Sequence, residues 1–204
     1  IAWAIIDSGI DGSHPALQDA SGKPRVVGSF DFSNIRRIVS LDNLDPRTPG
    51  FEARLAELTA GRSISRAKAK ELLVTLAQDA DHDRPVNWAL VEPFIAIDVA
   101  TPPGNPHGTH VAGIVGARSG KTAAVADAPD DTSAADGMCP DIRLYDFRVL
   151  GAQSSAADTE FAVIAALQYI RYLNESRSFI TIHGANLSLS IPHDVRNFAC
   201  GRTP

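Results

Sequence analysis

AWAIIDSGIDGSHP, residues 2–15, decides the fold of this chain. Residues 2–6 are an unbroken apolar run, too short for a helix, and Asp7-Ser8-Gly9 closes it with turn-forming residues. A run of that kind marks a strand covered on both faces, and such strands belong to parallel sheets flanked by helices. In open sheets of this class, chemistry gathers beyond the carboxyl ends of the strands. Asp7 stands at such an end.

The composition is compatible with that reading. The 204 residues are 44% hydrophobic, enough for one domain with a real core and room for an insertion. The net charge is −5, from 19 Lys and Arg against 24 Asp and Glu, and the basic residues form no stripe, which argues against a nucleic-acid partner. No apolar run approaches the ~20 residues needed to cross a bilayer, so membrane insertion is not expected. The first residues already read as a strand, so any targeting or pro-segment is expected upstream. Localisation stays unassigned on the residues alone. Cys139 and Cys200 permit one disulfide arithmetically, but their spacing fits no metal pattern and their redox state stays open.

Working outward, residues 26–32 read as a second strand. From about residue 34 to residue 83 the chain becomes charged and helical in period. Phe51, Leu55 and Leu58 fall on one face, Gly61 stands where a helix would stop, and Ala69, Leu72, Leu73 and Leu76 resume the spacing. The pattern predicts a helical hairpin inserted at about 34–83, docked by one face on the outside of the core. Residues 86–100 read as mixed and partly extended. TPPGNP, residues 101–106, is a rigid loop delivering His107, which heads a small-residue helix over 107–117. Residues 118–136 are an acidic loop without period. Residues 142–150 (IRLYDFRVL) read as a strand, and 161–173 as an amphipathic helix with Val163, Ile164, Leu167 and Ile170 on its apolar face. Residues 185–189 close the regular part as a strand. Strands alternating with helices predict an α/β fold: a three-layer α/β/α sandwich around a mostly parallel central sheet.

Two residues stand out for chemistry. Asp7 alone could simply cap a turn, yet a carboxylate at a strand's carboxyl end can also fix the tautomer of an imidazole and stabilise its charged form. His107 leads HGTHVAG, where Gly108, Thr109, Ala112 and Gly113 let the helix approach a neighbouring backbone closely. His110 lies one helical turn on, so a His-x-x-His metal pair has to be weighed. It lacks the glutamate and the i, i+4 spacing of zinc-peptidase helices. His107 is therefore read as a base and His110 as a hydrogen-bonded histidine inside the helix–sheet interface, and no residue is assigned as a metal ligand. GARSGKT, residues 116–122, nearly forms a phosphate loop, but Val115 stands where glycine is required and a helix precedes it instead of a strand. Coincidence is the better account.

The blocks IIDSGIDGSHPAL, PHGTHVAGIVGA, DGMCPDIRLYDFRVLGAQSSAADTEFAVIAALQYI and ANLSLS occur in an order that resembles the subtilisin-like serine peptidases, the subtilases. The resemblance implies that Asp7 and His107 are members of an Asp…His…Ser triad hydrolysing peptide bonds. It implies that Leu150, Gly151, Ser154 and Ser155, with the strand Ser188-Leu189-Ser190, are two edges between which a peptide or protein substrate lies extended. Taken alone, Ser188 and Ser190 would be ordinary polar positions on an edge strand. Structural calcium and a secreted or extracytoplasmic location are further implications, while no cofactor is certain. Three departures qualify the likeness. Asp7 and His107 are 100 residues apart, a wide separation that the helical hairpin accounts for. Ser190 replaces a customary glycine. The oxyanion asparagine and the Gly-Thr-Ser segment are expected beyond Pro204, so residues 1–204 read as a partial peptidase domain, inactive alone. The rival reading is a non-catalytic subtilase-like binding or scaffolding module.

Overall fold

Strand β1 (Ala2–Asp7) alternates between two buried surfaces: Ala4 and Ile6 enter one core, Ile5 the other. In the computed structural model, which describes residues 1–118, 136–151 and 154–190, this strand lies inside a five-stranded sheet, flanked on both sides. Its partners are β2 (Val26–Asp31), β3 (Ala96–Ile97), β4 (Arg143–Arg148) and β5 (Gly184–Leu187), in the order β3-β2-β4-β1-β5. All pairings are parallel except the short β2–β3 pair. Asp7 and Asp31 both pair with Arg148, so three strands end level on the carboxyl side.

Helices cover both faces, which makes the expected three-layer α/β/α arrangement. On one face α5 (His107–Gly116) sets Val111 and Ala112 against Ile5, Ile10, Val26 and Leu144. Its carboxyl end is held by the buried Arg25, which donates to the carbonyls of Gly116, Ala16 and Ile142, a favourable place for a cation at a helix terminus. On the other face lie α1 (Ile35–Ile38), α4 (Trp88–Ile95) and α6 (Ala156–Glu175), over Phe32 and Phe147. Outside these, α2 (Phe51–Thr59) and α3 (Arg66–Asp81) form a helical hairpin, with α3 resting on α4 and on the turn Leu41–Asn43. Gly61 ends the first arm with a φ of +68°, and the Ser65 hydroxyl caps the second by accepting from the Lys68 amide. The hairpin's turn is anchored to the sheet by Arg62, whose guanidinium lies 3.0 Å from Asp31 Oδ2.

Several expectations need correction. Within the mixed stretch 86–100 only β3 is strand, and residues 88–95 are helical despite Pro93 in the last turn. Burial of Val91, Phe94 and Ile95 outweighs one missing hydrogen bond. Helix α6 starts five residues earlier than the periodicity indicated, because Ser155 and Asp158 form a capping box. It also turns a different face inward. Ala162, Val163, Ala166 and Tyr169 are buried, whereas Ile164 and Leu167 are exposed. Small alanines let the helix sit close to the sheet, and Tyr169 fills the space beneath Phe30, Phe32, Phe147 and Trp88, its phenol held neutral by burial. Finally, β5 stops at Leu187, so Ser188, Leu189 and Ser190 are not a strand. The partner strand β1 ends its pairing at Ile6, opposite Leu187, and then turns away at Asp7-Ser8-Gly9. Cys200, most of the acidic loop and most of the near-phosphate loop lie outside the described residues. Among the described residues no helix is long and apolar enough to cross a membrane.

Candidate active site

Asp7 and His107 reach one another across the carboxyl end of the sheet. The Asp7 carboxylate is 1% exposed at the end of β1, and its Oδ1 lies 2.8 Å from His107 Nδ1. The same Oδ1 accepts from the Ser8 amide at 2.7 Å, while Oδ2 is buried without a hydrogen-bond partner. An ionised carboxylate only accepts, so it selects the tautomer with the proton on His107 Nδ1, and in the neutral ring the lone pair then lies on Nε2. The imidazole is half exposed, and Nε2 meets no hydrogen-bond partner among the described residues. An imidazole held this way, with one nitrogen tied to a carboxylate and the other open, can act as a base.

The two motifs fit each other residue by residue. Gly108 packs so tightly on Gly9 that a β-carbon there would stand 2.5 Å from the Gly9 carbonyl oxygen. Gly9 itself needs a φ of +119°, which L side chains rarely adopt. Ser8 stitches the pair together: its hydroxyl donates to the Asn105 carbonyl at 3.1 Å and accepts from the buried Gly108 amide at 3.0 Å. Thr109 Oγ1 accepts from the Asp11 amide at 2.9 Å. His107 closes the set through its own amide, which donates to Asn105 Oδ1 at 2.9 Å. Sequence reasoning missed Ser8, Asn105 and Thr109 as positioning groups, since their partners lie about 100 residues away.

Beneath these loops sits a second feature that the sequence reading passed over. Asp146 and Arg148 alternate on one face of β4, both buried, with Arg148 Nε 2.9 Å from Asp146 Oδ2. Burial pushes the Asp146 carboxyl up to about 6 against the opposing pull of Arg148. Opposite charges two apart in a strand, with the apolar Phe147 between them, were the available signal.

The remaining candidates fall into two segments flanking Asp7. Leu150, Gly151, Ser154 and Ser155 follow β4, and Ser188, Leu189 and Ser190 follow β5, the two neighbours of β1 in the sheet. Leu150, Ser188 and Ser190 are exposed, and Leu189 packs partly against the core. The Ser155 hydroxyl is engaged in the capping box, 2.6 Å from Asp158 Oδ2, and Ser188 Oγ accepts from Asn186 Nδ2 at 2.8 Å. His110 is not inside the helix–sheet interface. It is exposed, because the inward face of α5 belongs to Val111 and Ala112, about 100° and 200° further round the helix. There it lines an open cleft of about 900 Å³ with Asp11, His14 and Ile114, and neither Asp7 nor His107 borders that cleft.

A family model described as the subtilase family matches residues 1–190. No curated protein and no solved structure matches the chain.

Proposed function

The chain belongs to the subtilase family, a family of serine peptidases acting on protein or peptide substrates, and we propose that it supplies the base and its orienting carboxylate for peptide-bond hydrolysis. The observation that carries this reading is the 2.8 Å contact between Asp7 Oδ1 and His107 Nδ1 across 100 residues of sequence. With Nδ1–H donated to Asp7, His107 Nε2 takes the proton of a serine hydroxyl as its oxygen bonds to the scissile carbonyl carbon. The carbon–nitrogen bond then breaks, Nε2 passes that proton to the leaving amine, and an acyl-enzyme remains for water to hydrolyse. Asp7 stays ionised throughout and stabilises the transient imidazolium. In this reading the serine, with the oxyanion donors, comes from sequence following Pro204 in the intact protein. The substrate lies extended between the main chain of Leu150, Gly151, Ser154 and Ser155 and that of 188–190, whose place after the two strands that flank β1 supports the assignment.

Calcium, common in this family, needs six to eight oxygen ligands. Among the described residues no group of three or more His, Cys, Asp or Glu side chains gathers to hold a metal ion, and no step of this reading uses one.

A serine-directed fluorophosphonate tests the reading. The intact protein should be labelled, its His107→Ala variant should not, and the 204-residue chain alone should stay unlabelled. Labelling of a serine within residues 1–204 that requires His107 would overturn the placement of the nucleophile. An unlabelled intact protein would leave a binding or scaffolding module instead.

A further inference from the structure

The Asp146–Arg148 pair has more contacts than a buried ion pair needs for its own sake. Arg148 is the last residue of β4, and its main chain already bridges both neighbours: its carbonyl accepts from the Phe32 amide, and the next amide, Val149, donates to the Asp7 carbonyl at 2.9 Å. Its guanidinium, only 10% exposed, goes further. Nε binds Asp146 Oδ2, Nη2 donates to the Ile10 carbonyl at 3.3 Å and to the Thr101 carbonyl at 2.6 Å, and Nη1 donates to the Pro102 carbonyl at 3.2 Å. Ile10 lies three residues after Asp7, and Thr101 and Pro102 belong to the loop that delivers His107. Gly9 lies against the same group, where a β-carbon would stand 2.8 Å from Arg148 Nε and 2.9 Å from the Pro103 side chain. One planar cation therefore touches both loops whose relative position determines the Asp7–His107 contact.

We propose that Arg148, oriented by Asp146, is the positioning residue of the dyad: its guanidinium clamps the loop leaving Asp7 to the loop entering His107. Lysine could not do this, because a single ammonium lacks the fixed fork that reaches three carbonyls and a carboxylate together. Stability alone gives no reason for the pair. Two buried charges are costly to desolvate, and well-packed apolar residues commonly replace them without loss, so their presence in the buried part of the strand calls for a role in registration. The inference rests on the reading of Asp7 and His107 as the working dyad, but its readout requires no turnover.

The test uses the Nδ1–H proton of His107, observed by NMR in the full chain. In the wild type this proton should be protected from solvent exchange by the Asp7 carboxylate, although the ring is half exposed. In the double variant Asp146→Leu/Arg148→Met, which removes the two charges together and leaves none buried unpaired, it should exchange at least ~10-fold faster at an unchanged urea midpoint. Arg148→Lys, which keeps the charge beside Asp146, should fall between the two. Wild-type protection in the folded double variant would overturn the clamp. Should the double variant not fold, Arg148→Lys decides, and unchanged protection there is equally fatal. A wild type with no protected proton would remove the dyad itself and the clamp with it, an outcome distinct from failure of the clamp alone.

Discussion

Two glycines of α5 should respond oppositely to the same substitution. Nothing lies within 4 Å of a β-carbon built on Gly113, whereas one built on Gly108 would stand 2.5 Å from the Gly9 carbonyl oxygen and 3.0 Å from the Gly9 nitrogen. Both contacts are to backbone, which cannot swing aside as a flexible side chain can. Gly113→Ala should therefore show only the conformational gain of alanine in a helix, about 0.5–1 kcal/mol, and raise Tm by roughly 1–4 °C. Gly108→Ala must push the start of α5 back by roughly 1 Å to restore ordinary contact. Overpacking costs about 1–3 kcal/mol, and a 2.5 Å contact to backbone belongs to the upper part of that range, about 2–3 kcal/mol, so after the same propensity gain the net loss is about 1–2.5 kcal/mol and Tm should fall by roughly 2–10 °C. The retreat also stretches the Gly108–Ser8 bond and carries His107 away from Asp7. In the intact peptidase a displacement of about 1 Å should lower kcat/KM by around 100-fold, while Gly113→Ala leaves it unchanged. Thermal melts of the two variants, followed by activity on a short peptide, measure both effects. A Gly108→Ala protein melting at or above the wild-type temperature would refute the close-approach argument, because then the motif's glycine would have no steric duty.

Three further outcomes are expected. Ser8→Ala leaves the buried Gly108 amide without its acceptor and should lower stability by about 1–3 kcal/mol in a urea melt; a change under about 0.3 kcal/mol would show the amide satisfied some other way. Arg62→Ala frees the helical hairpin's turn from Asp31 beside the residues assigned to the substrate edge, so in the intact enzyme it should raise activity on folded protein more than on short peptides, and equal effects on both would reject a gating role. Asp146, with its carboxyl raised to about 6 from the ordinary 3.8, holds a proton in the folded state that the unfolded chain has already lost. Its contribution is therefore fully present below about pH 4 and is lost as pH rises through 6; Asp146→Asn should flatten the fall in urea midpoint across that window, and an unaltered slope would assign it to other groups.

What was legible in the sequence follows from how local each signal is. The strand at residues 2–6 and the helix at 107–117 could be read because their apolar runs and small residues state a burial pattern within a few positions. The face of α6 could not. Counting only large apolar residues pointed to Ile164 and Leu167, while the sheet selected Ala162 and Ala166, whose value is the closeness they permit. Helix α4 was missed for a related reason: Pro93 speaks locally against a helix, and the burial of Val91, Phe94 and Ile95 that overrides it depends on partners elsewhere in the chain.

The candidate site divides along the same line. Asp7 and His107 were legible as residue types at strand and helix ends, but the distance between them is a property of the sheet. The groups that set it make sense only in pairs: Gly9 with Gly108, Ser8 with Asn105, Asp11 with Thr109, Arg148 with Ile10 and Thr101. Each half, read alone, is a turn residue or a small residue with an ordinary explanation. A single exception carried its own warning. An aspartate and an arginine two apart in a strand must share a face, and a buried face holding both charges has to find hydrogen-bond partners beyond the strand itself. The carbonyls of the two loops over β4 are those partners, so the pattern LYDFR already implied that something polar and fixed lies above that end of the sheet, where the dyad stands.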